Sequence, residues 1–174
     1  MKWSPRIVMA AIALLSAAGL TVRAGASAST TSTTAPGYGV AYLCDNLPHV
    51  DRLIITRHAP GSHFHFSFPA TFTATNAAKA RAVAKSACGL PRLPGGEHCP
   101  AEFPVSYNLD FAVQGEKGMG GEAINVYPTG CETVTGLGPV RTTAEHHRFF
   151  RLLGDAMGLK DAGYFTFAGT VDLS

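Results

Sequence analysis

The chain has 174 residues, with 15% charged residues, 46% hydrophobic residues and a formal net charge of +2. This near balance of charge, without a cluster of lysines and arginines, argues against a protein that follows nucleic-acid phosphates. The length is enough for one domain with a substantial hydrophobic core.

The first 28 residues have the pattern of a secretory signal peptide. Lys2 and Arg6 precede an uncharged apolar run at 7–20, and two small-x-small cleavage motifs fall within 24–28. The apolar run is shorter than the ~20 residues that span a bilayer. We therefore expect a secreted, extracellular protein with no membrane span after cleavage. Removal of the signal takes away three of the 14 basic residues and none of the 12 acidic ones, which leaves 11 basic against 12 acidic and a net charge of −1.

Residues 29–39 are rich in Ser and Thr and are predicted to be a flexible linker. Residues 40–174 are predicted to form a single globular α+β domain.

The four cysteines of an exported chain are predicted to form two disulfides. Folding the chain about a turn near residues 115–118 brings Cys99 and Cys131 to the open end of one hairpin, within disulfide reach. This favours Cys99–Cys131 with Cys44–Cys88. The alternative, Cys88–Cys99 with Cys44–Cys131, stays open because spacing does not decide connectivity.

Alternating apolar residues predict the strands. The segment 51–57 is rich in β-branched residues, 63–75 alternates strictly except at Pro69, and 105–114 with 122–127 form a hairpin. We expect Pro69 to mark an edge, a bulge or the boundary between two strands. A short strand is predicted within 132–141, and the apolar segment 163–171 is predicted to be a final strand or a frayed tail.

Two helices are predicted, near 77–88 and 143–157. Asn76 is the expected N-cap of the first, and Gly89 is expected to end it in a left-handed conformation. The stretch from Thr142 to Glu145 fits a capping box for the second. The predicted fold is thus α+β: an antiparallel sheet of four to six strands with two helices, stapled by disulfides.

Histidines suggest one candidate for chemistry. His63 and His65 lie two apart on a predicted strand, so their imidazoles share a face, and His58 could approach across a turn. Such a set can bind Zn²⁺ or Cu²⁺, which makes a His-rich metal-binding protein one alternative. We find no catalytic motif and nominate no catalytic residue and no cofactor.

The stronger candidate is a proline-stiffened loop beside the disulfides. A stiff loop loses little entropy when it docks on a partner. The residues predicted to meet a partner are Arg92 and Leu93, or Pro100, Ala101 and Glu102. The expected role is a non-catalytic extracellular binding module, whose partner protein or ligand the sequence does not specify.

Two resemblances extend this expectation. The chain contains FSFPA at 66–70, ACGLP at 87–91, YNLDF at 107–111 and GCETVTGLG at 130–138. With the segments around them, these stretches resemble a group of exported actinobacterial proteins of unknown function. The order of two strands, an Ala-rich helix ending near a Cys, a Cys-Pro pair, a hairpin and a Cys is similar to the Streptomyces subtilisin inhibitor family.

The second resemblance implies a function. In that family the Cys-Pro opens a reactive loop and its Cys pairs with a Cys after the hairpin, which Cys99, Pro100 and Cys131 match. Ala101 would then take the specificity position of a serine-protease inhibitor. Cys44 lies farther upstream of the helix than the family pattern has it, and residues 142–174 have no counterpart.

Overall fold

The computed structural model of the protein describes residues 41–61, 63–100, 103–114 and 122–171. The predicted signal peptide, the predicted linker and the turn of the hairpin lie outside them. The elements are α1 (Ala41–Asp45), a 3₁₀ turn (Leu47–His49), β1 (Val50–His58), β2 (Phe64–His65), β3 (Thr71–Ala74), α2 (Ala77–Cys88), β4 (Ser106–Val113), β5 (Glu122–Val126), β6 (Thr133–Thr135), β7 (Arg141–Thr142), α3 (Arg148–Met157), α4 (Tyr164–Ala168) and β8 (Thr170–Val171).

Six strands form an antiparallel sheet in the order β3-β1-β4-β5-β6-β7, and β2 pairs with β8 in a second, two-stranded sheet. The predicted α+β class and the predicted number of strands are therefore confirmed. The hairpin is also confirmed, with Tyr107 opposite Val126 and Leu109 opposite Ile124.

The core lies on the face of the large sheet that meets the helices. Each inward residue of β4 is buried, as the alternation predicted, because successive side chains of a strand point to opposite faces. Helix α2 packs on β1 and on α3. The small face that α2 buries is the predicted one: Ala80, Val83, Ala84 and Ala87.

The two ends of α2 agree only partly with the prediction. The Asn76 side chain caps the helix by accepting a hydrogen bond from the Lys79 amide at 3.1 Å. Gly89 ends it with φ −87°, so the predicted left-handed conformation is wrong there. At the end of α3, by contrast, Gly158 has φ 73° and is left-handed.

The predicted capping box at 142–145 is wrong, because Thr142 belongs to β7 and α3 begins only at Arg148. The Thr142 hydroxyl donates to the Cys131 carbonyl at 2.9 Å and accepts from the Ala144 amide at 3.0 Å. These bonds fix the segment against the loop after Cys131 instead of starting a helix.

The segment 63–75 is divided between the two sheets. Phe64 and His65 pair with β8, whereas 71–74 pair with β1, so Pro69 marks the boundary between two strands. The prediction of a strand through 163–171 is wrong for most of that segment, because Tyr164–Ala168 is helical and only Thr170–Val171 is extended.

Aromatic side chains hold α4 against the sheet. Phe167 is fully buried, with its ring centroid 5.5–5.6 Å from those of Tyr107, Phe68 and Phe150. The Tyr107 hydroxyl donates to the Phe167 carbonyl at 2.8 Å. Burial raises the pKa of Tyr107, which keeps this donor protonated.

Gly154 in α3 packs closely against Ala162. A Cβ added to Gly154 would overlap the Cβ of Ala162. Replacing Gly154 with alanine should therefore lower the free energy of unfolding by about 1–2 kcal/mol, since overpacking costs ~1–3 kcal/mol and outweighs the gain of up to ~1 kcal/mol in helix propensity. Urea unfolding measures the change. Adding Ala162→Gly to Gly154→Ala should recover part of the loss, and a Gly154→Ala variant as stable as wild type would contradict this packing.

Candidate functional site

The structure joins Cys99 to Cys131, with Cα atoms 4.9 Å apart, and Cys44 to Cys88, with Cα atoms 5.7 Å apart. Both distances lie in the ordinary range for disulfides. Of the two pairings predicted from the sequence, this is the one derived from the hairpin, and the alternative pairing is wrong. Cys99 is exposed while Cys131 is buried, so this disulfide ties a surface segment to the end of the hairpin.

The segment that follows Cys99 is also held at its other end. Thr129, 5% exposed, accepts a hydrogen bond from the Phe103 amide at 3.1 Å and donates one to the Phe103 carbonyl at 3.2 Å. The Phe103 ring packs edge-on against Phe64, with centroids 6.1 Å apart, yet remains 52% exposed. We call residues 99–103 the clasped loop, since a disulfide and a pair of hydrogen bonds fix its two ends.

The clasped loop contains three of the residues predicted to meet a partner. Pro100 is exposed. Ala101 and Glu102 lie outside the described residues.

The sequence analysis did not predict a role for Thr129, although the hairpin register indicates its position beside residue 103. Pairing of Tyr107 with Val126 places residue 103 beside residues 129–130 when the register is extended past the strand ends.

The other predicted contact residues lie in a different setting. Arg92 forms a bridge with Arg141, and the Leu93 amide donates to the Val140 carbonyl at 2.9 Å. The Thr142 amide in turn donates to the Pro91 carbonyl at 3.1 Å. Residues 91–93 therefore extend the β7 edge of the sheet, with Arg92 exposed and Leu93 half-buried. Cys99, Pro100 and Phe103, the described residues of the clasped loop, belong to no strand, which makes this loop the better candidate.

A cluster behind Cys131 was also missed by the sequence reasoning. Glu132 Oε2 lies 3.4 Å from His147 Nε2 and accepts a hydrogen bond from the Thr143 hydroxyl at 3.3 Å. The His147 ring stacks on Tyr164 with centroids 5.0 Å apart. Burial, together with the nearby Glu132 carboxylate, raises the pKa of Tyr164. The spacing of residues in the sequence does not predict this cluster, because its members come from three separate segments.

Glu132 supports the disulfide through its backbone. It has φ 49°, a conformation uncommon for a residue with a side chain. Its amide donates to the Thr129 carbonyl at 3.2 Å, and its carbonyl accepts from the Thr143 amide at 2.8 Å. The turn that carries both Thr129 and Cys131 is thereby fixed to the segment before α3.

The predicted metal ligands are not arranged as a site. His58 ends β1, His63 lies in a turn before β2, and His65 lies in β2, all three exposed. Across the described residues, no group of three or more His, Cys, Asp or Glu side chains is placed to hold a metal ion. Next to His58 in the chain, the Arg57 guanidinium lies over the rings of Phe66 and Phe68, at 3.9 and 4.9 Å from the centroids. Burial lowers the pKa of Arg57, and its Nη1 donates to the Phe68 carbonyl at 3.0 Å.

No family model, curated protein or solved structure matches this chain. None of the helices formed by the described residues is long and apolar enough to cross a membrane. Two disulfides of this kind are common in extracellular proteins.

Thr129 offers a direct test of the clasped loop. Replacing it with the isosteric valine removes both hydrogen bonds to Phe103: the Phe103 amide loses its side-chain acceptor, while the Phe103 carbonyl keeps the bond from the Val105 amide at 2.7 Å. We expect the free energy of unfolding to fall by about 1–2 kcal/mol and the Phe103 amide to exchange with deuterium faster. Thr73→Val, on the exposed face of β3, is the matched control and should leave both quantities unchanged. An unchanged Phe103 exchange rate in Thr129→Val would show that the hydroxyl does not hold the loop.

Proposed function

We propose that the protein is an extracellular, non-catalytic binding protein that presents the clasped loop to a partner protein. The observation that carries this proposal is the fixing of both loop ends, by the Cys99–Cys131 disulfide and by Thr129. Between these two ends, the ring of Pro100 restricts the backbone φ angle of that residue. A segment whose ends are already fixed has less conformational entropy to lose when it binds, so more of its contact energy appears as affinity.

One exposed aromatic side chain supports a protein partner. Phe103 stands at the end of the clasped loop and is half exposed in spite of its size. Aromatic side chains of this kind are enriched at the centres of protein interfaces. Export is part of the proposal and is supported by the signal pattern at 1–28 and by the two disulfides.

A subtilisin-like serine protease is the candidate partner. The specific observation that favours it is the Cys99–Cys131 pairing across the hairpin, directly before Pro100, which is the arrangement that the resemblance to the Streptomyces subtilisin inhibitors implies. On that resemblance, Ala101 would enter the specificity pocket of the protease. The clasped loop suits this role because Cys99 and Phe103, which flank residues 101 and 102 in the chain, are held by the rest of the domain.

Titration of subtilisin with the purified, oxidised protein tests the proposal. We expect residual protease activity to fall in proportion to the protein added and to vanish near one equivalent. Trypsin should be much less affected, because its specificity pocket is acidic and Ala101 carries no positive charge. Full subtilisin activity at several equivalents of protein would exclude inhibition of this protease.

A further inference from the structure

An open cleft of about 390 Å³ lies between the second half of α2 and the first half of α3. Its polar lining consists of Lys85 and Ser86 from α2 and His146 and Arg148 around the start of α3. Leu90 and Leu152 supply an apolar floor. The volume falls in the range typical of sites for small ligands, ~300–1,000 Å³.

The charged groups of the cleft have one sign. Lys85 and Arg148 are both cationic, and no carboxylate belongs to the lining. Within the described part of the chain, neither Lys85 nor Arg148 forms a salt bridge. The nearest acid in sequence, Glu145, is exposed and is not part of the lining. A concave surface lined by charges of one sign concentrates its field on the space between them and attracts counter-ions there.

We propose that this cleft binds a small organic anion, with a carboxylate or phosphate group attached to a compact apolar body. Arg148 offers the forked donors that match such a group, Lys85 adds a mobile positive charge, and the Ser86 hydroxyl adds a neutral donor. Leu90 and Leu152 receive the apolar body. The clasped loop contributes none of these residues, so this site is independent of the proposed protein-binding function.

Titrations followed by ¹H–¹⁵N NMR on the intact, oxidised protein test the proposal. The probes are phenyl phosphate, benzoate and inorganic phosphate, each compared with sodium chloride at equal ionic strength. We expect saturable shifts of the amides of the cleft residues with phenyl phosphate or benzoate, and weaker binding of inorganic phosphate, which lacks an apolar body. Comparing phenyl phosphate with benzoate decides which acidic group the site prefers.

Matched variants locate the site. Lys85→Gln and Arg148→Gln should each weaken the binding affinity for the preferred probe by roughly threefold to tenfold, as expected for one partly exposed charge-assisted contact. Lys160→Gln and Arg151→Gln remove exposed charges that do not line the cleft and should leave binding unchanged. All four side chains are exposed, and the dispersion of each variant's own spectrum reports its folding.

Two results would overturn the proposal. One is the lack of a saturable shift with every probe at tens of millimolar. The other is equal weakening by the cleft variants and the control variants, which would show that the anions respond only to overall charge. Equal affinity for inorganic phosphate and phenyl phosphate would contradict the role given to Leu90 and Leu152.

Discussion

Replacing Cys99 and Cys131 together with serine is expected to lower the free energy of unfolding by about 3–4 kcal/mol. The disulfide closes a loop over a sequence separation of 32 residues, between the ~3 kcal/mol expected for a 15-residue loop and the ~4.7 kcal/mol for a 100-residue loop. Denaturant unfolding of the oxidised wild type and the double variant measures the difference. The same variant should not show the proposed inhibition of subtilisin, even at temperatures where it is still folded, because one end of the clasped loop is released.

The second disulfide provides the matched control. Cys44–Cys88 spans a separation of 44 residues, so its removal should cost a similar free energy of unfolding. It ties α1 to the end of α2, and neither helix contributes a residue to the clasped loop. A Cys44→Ser, Cys88→Ser variant should therefore still inhibit subtilisin while folded. If both double variants lost inhibition equally, general stability and not the clasped loop would explain the result.

Replacing Phe167 with alanine is expected to lower the free energy of unfolding by about 3–5 kcal/mol, the usual cost of deleting a buried phenylalanine ring. Phe167 is fully buried between the large sheet and α3, where it contacts Phe68, Tyr107 and Phe150. The deletion leaves a cavity at the junction of these elements. Thermal and urea unfolding measure the loss.

Phe165 in the same short helix is the matched control. It is 84% exposed, so Phe165→Ala should change the free energy of unfolding by no more than about 0.5 kcal/mol. The contrast tests the helical path of 164–168, because a strand through this segment would put residues 165 and 167 on the same face. Similar effects of the two variants would contradict the helix.

The sheet was largely predictable from the sequence. The alternation from Val105 to Val113 places every second side chain in the core, and one hairpin register satisfies both of its strands. That same register selected the correct pairing for Cys99, since cross-strand neighbours at the open end of a hairpin lie within disulfide reach.

The secondary-structure predictions that proved wrong concern short segments. A five-residue helix such as α4 completes little more than one turn, so its pattern of apolar residues does not distinguish a period of 3.6 from a period of two. The alternation in 63–75 is interrupted only at Pro69, where the chain changes sheets, and Phe68 is buried there with its carbonyl hydrogen-bonded to Arg57. Such a change depends on distant partners, which local periodicity does not record.

The candidate site was predictable only in part. The residues near Cys99 and Pro100 were identified because proline, cysteine and loop composition are local signals. Thr129 acts on Phe103 from 26 positions away, and Glu132 meets His147 across two loops. Contacts of this kind follow from the tertiary packing of the turn after β5.

The specificity of protease inhibition by an Ala101→Lys variant tests the central claim most directly. Lysine at this position should convert the protein into a stoichiometric inhibitor of trypsin, whose acidic pocket accepts a basic side chain. Gly95→Lys, which adds the same charge to an exposed loop with open space around it, is the control and should not inhibit trypsin. Trypsin inhibition by Ala101→Lys alone is the result that we predict. Undiminished trypsin activity at several equivalents of Ala101→Lys would contradict the assignment of the clasped loop as a protease-binding element.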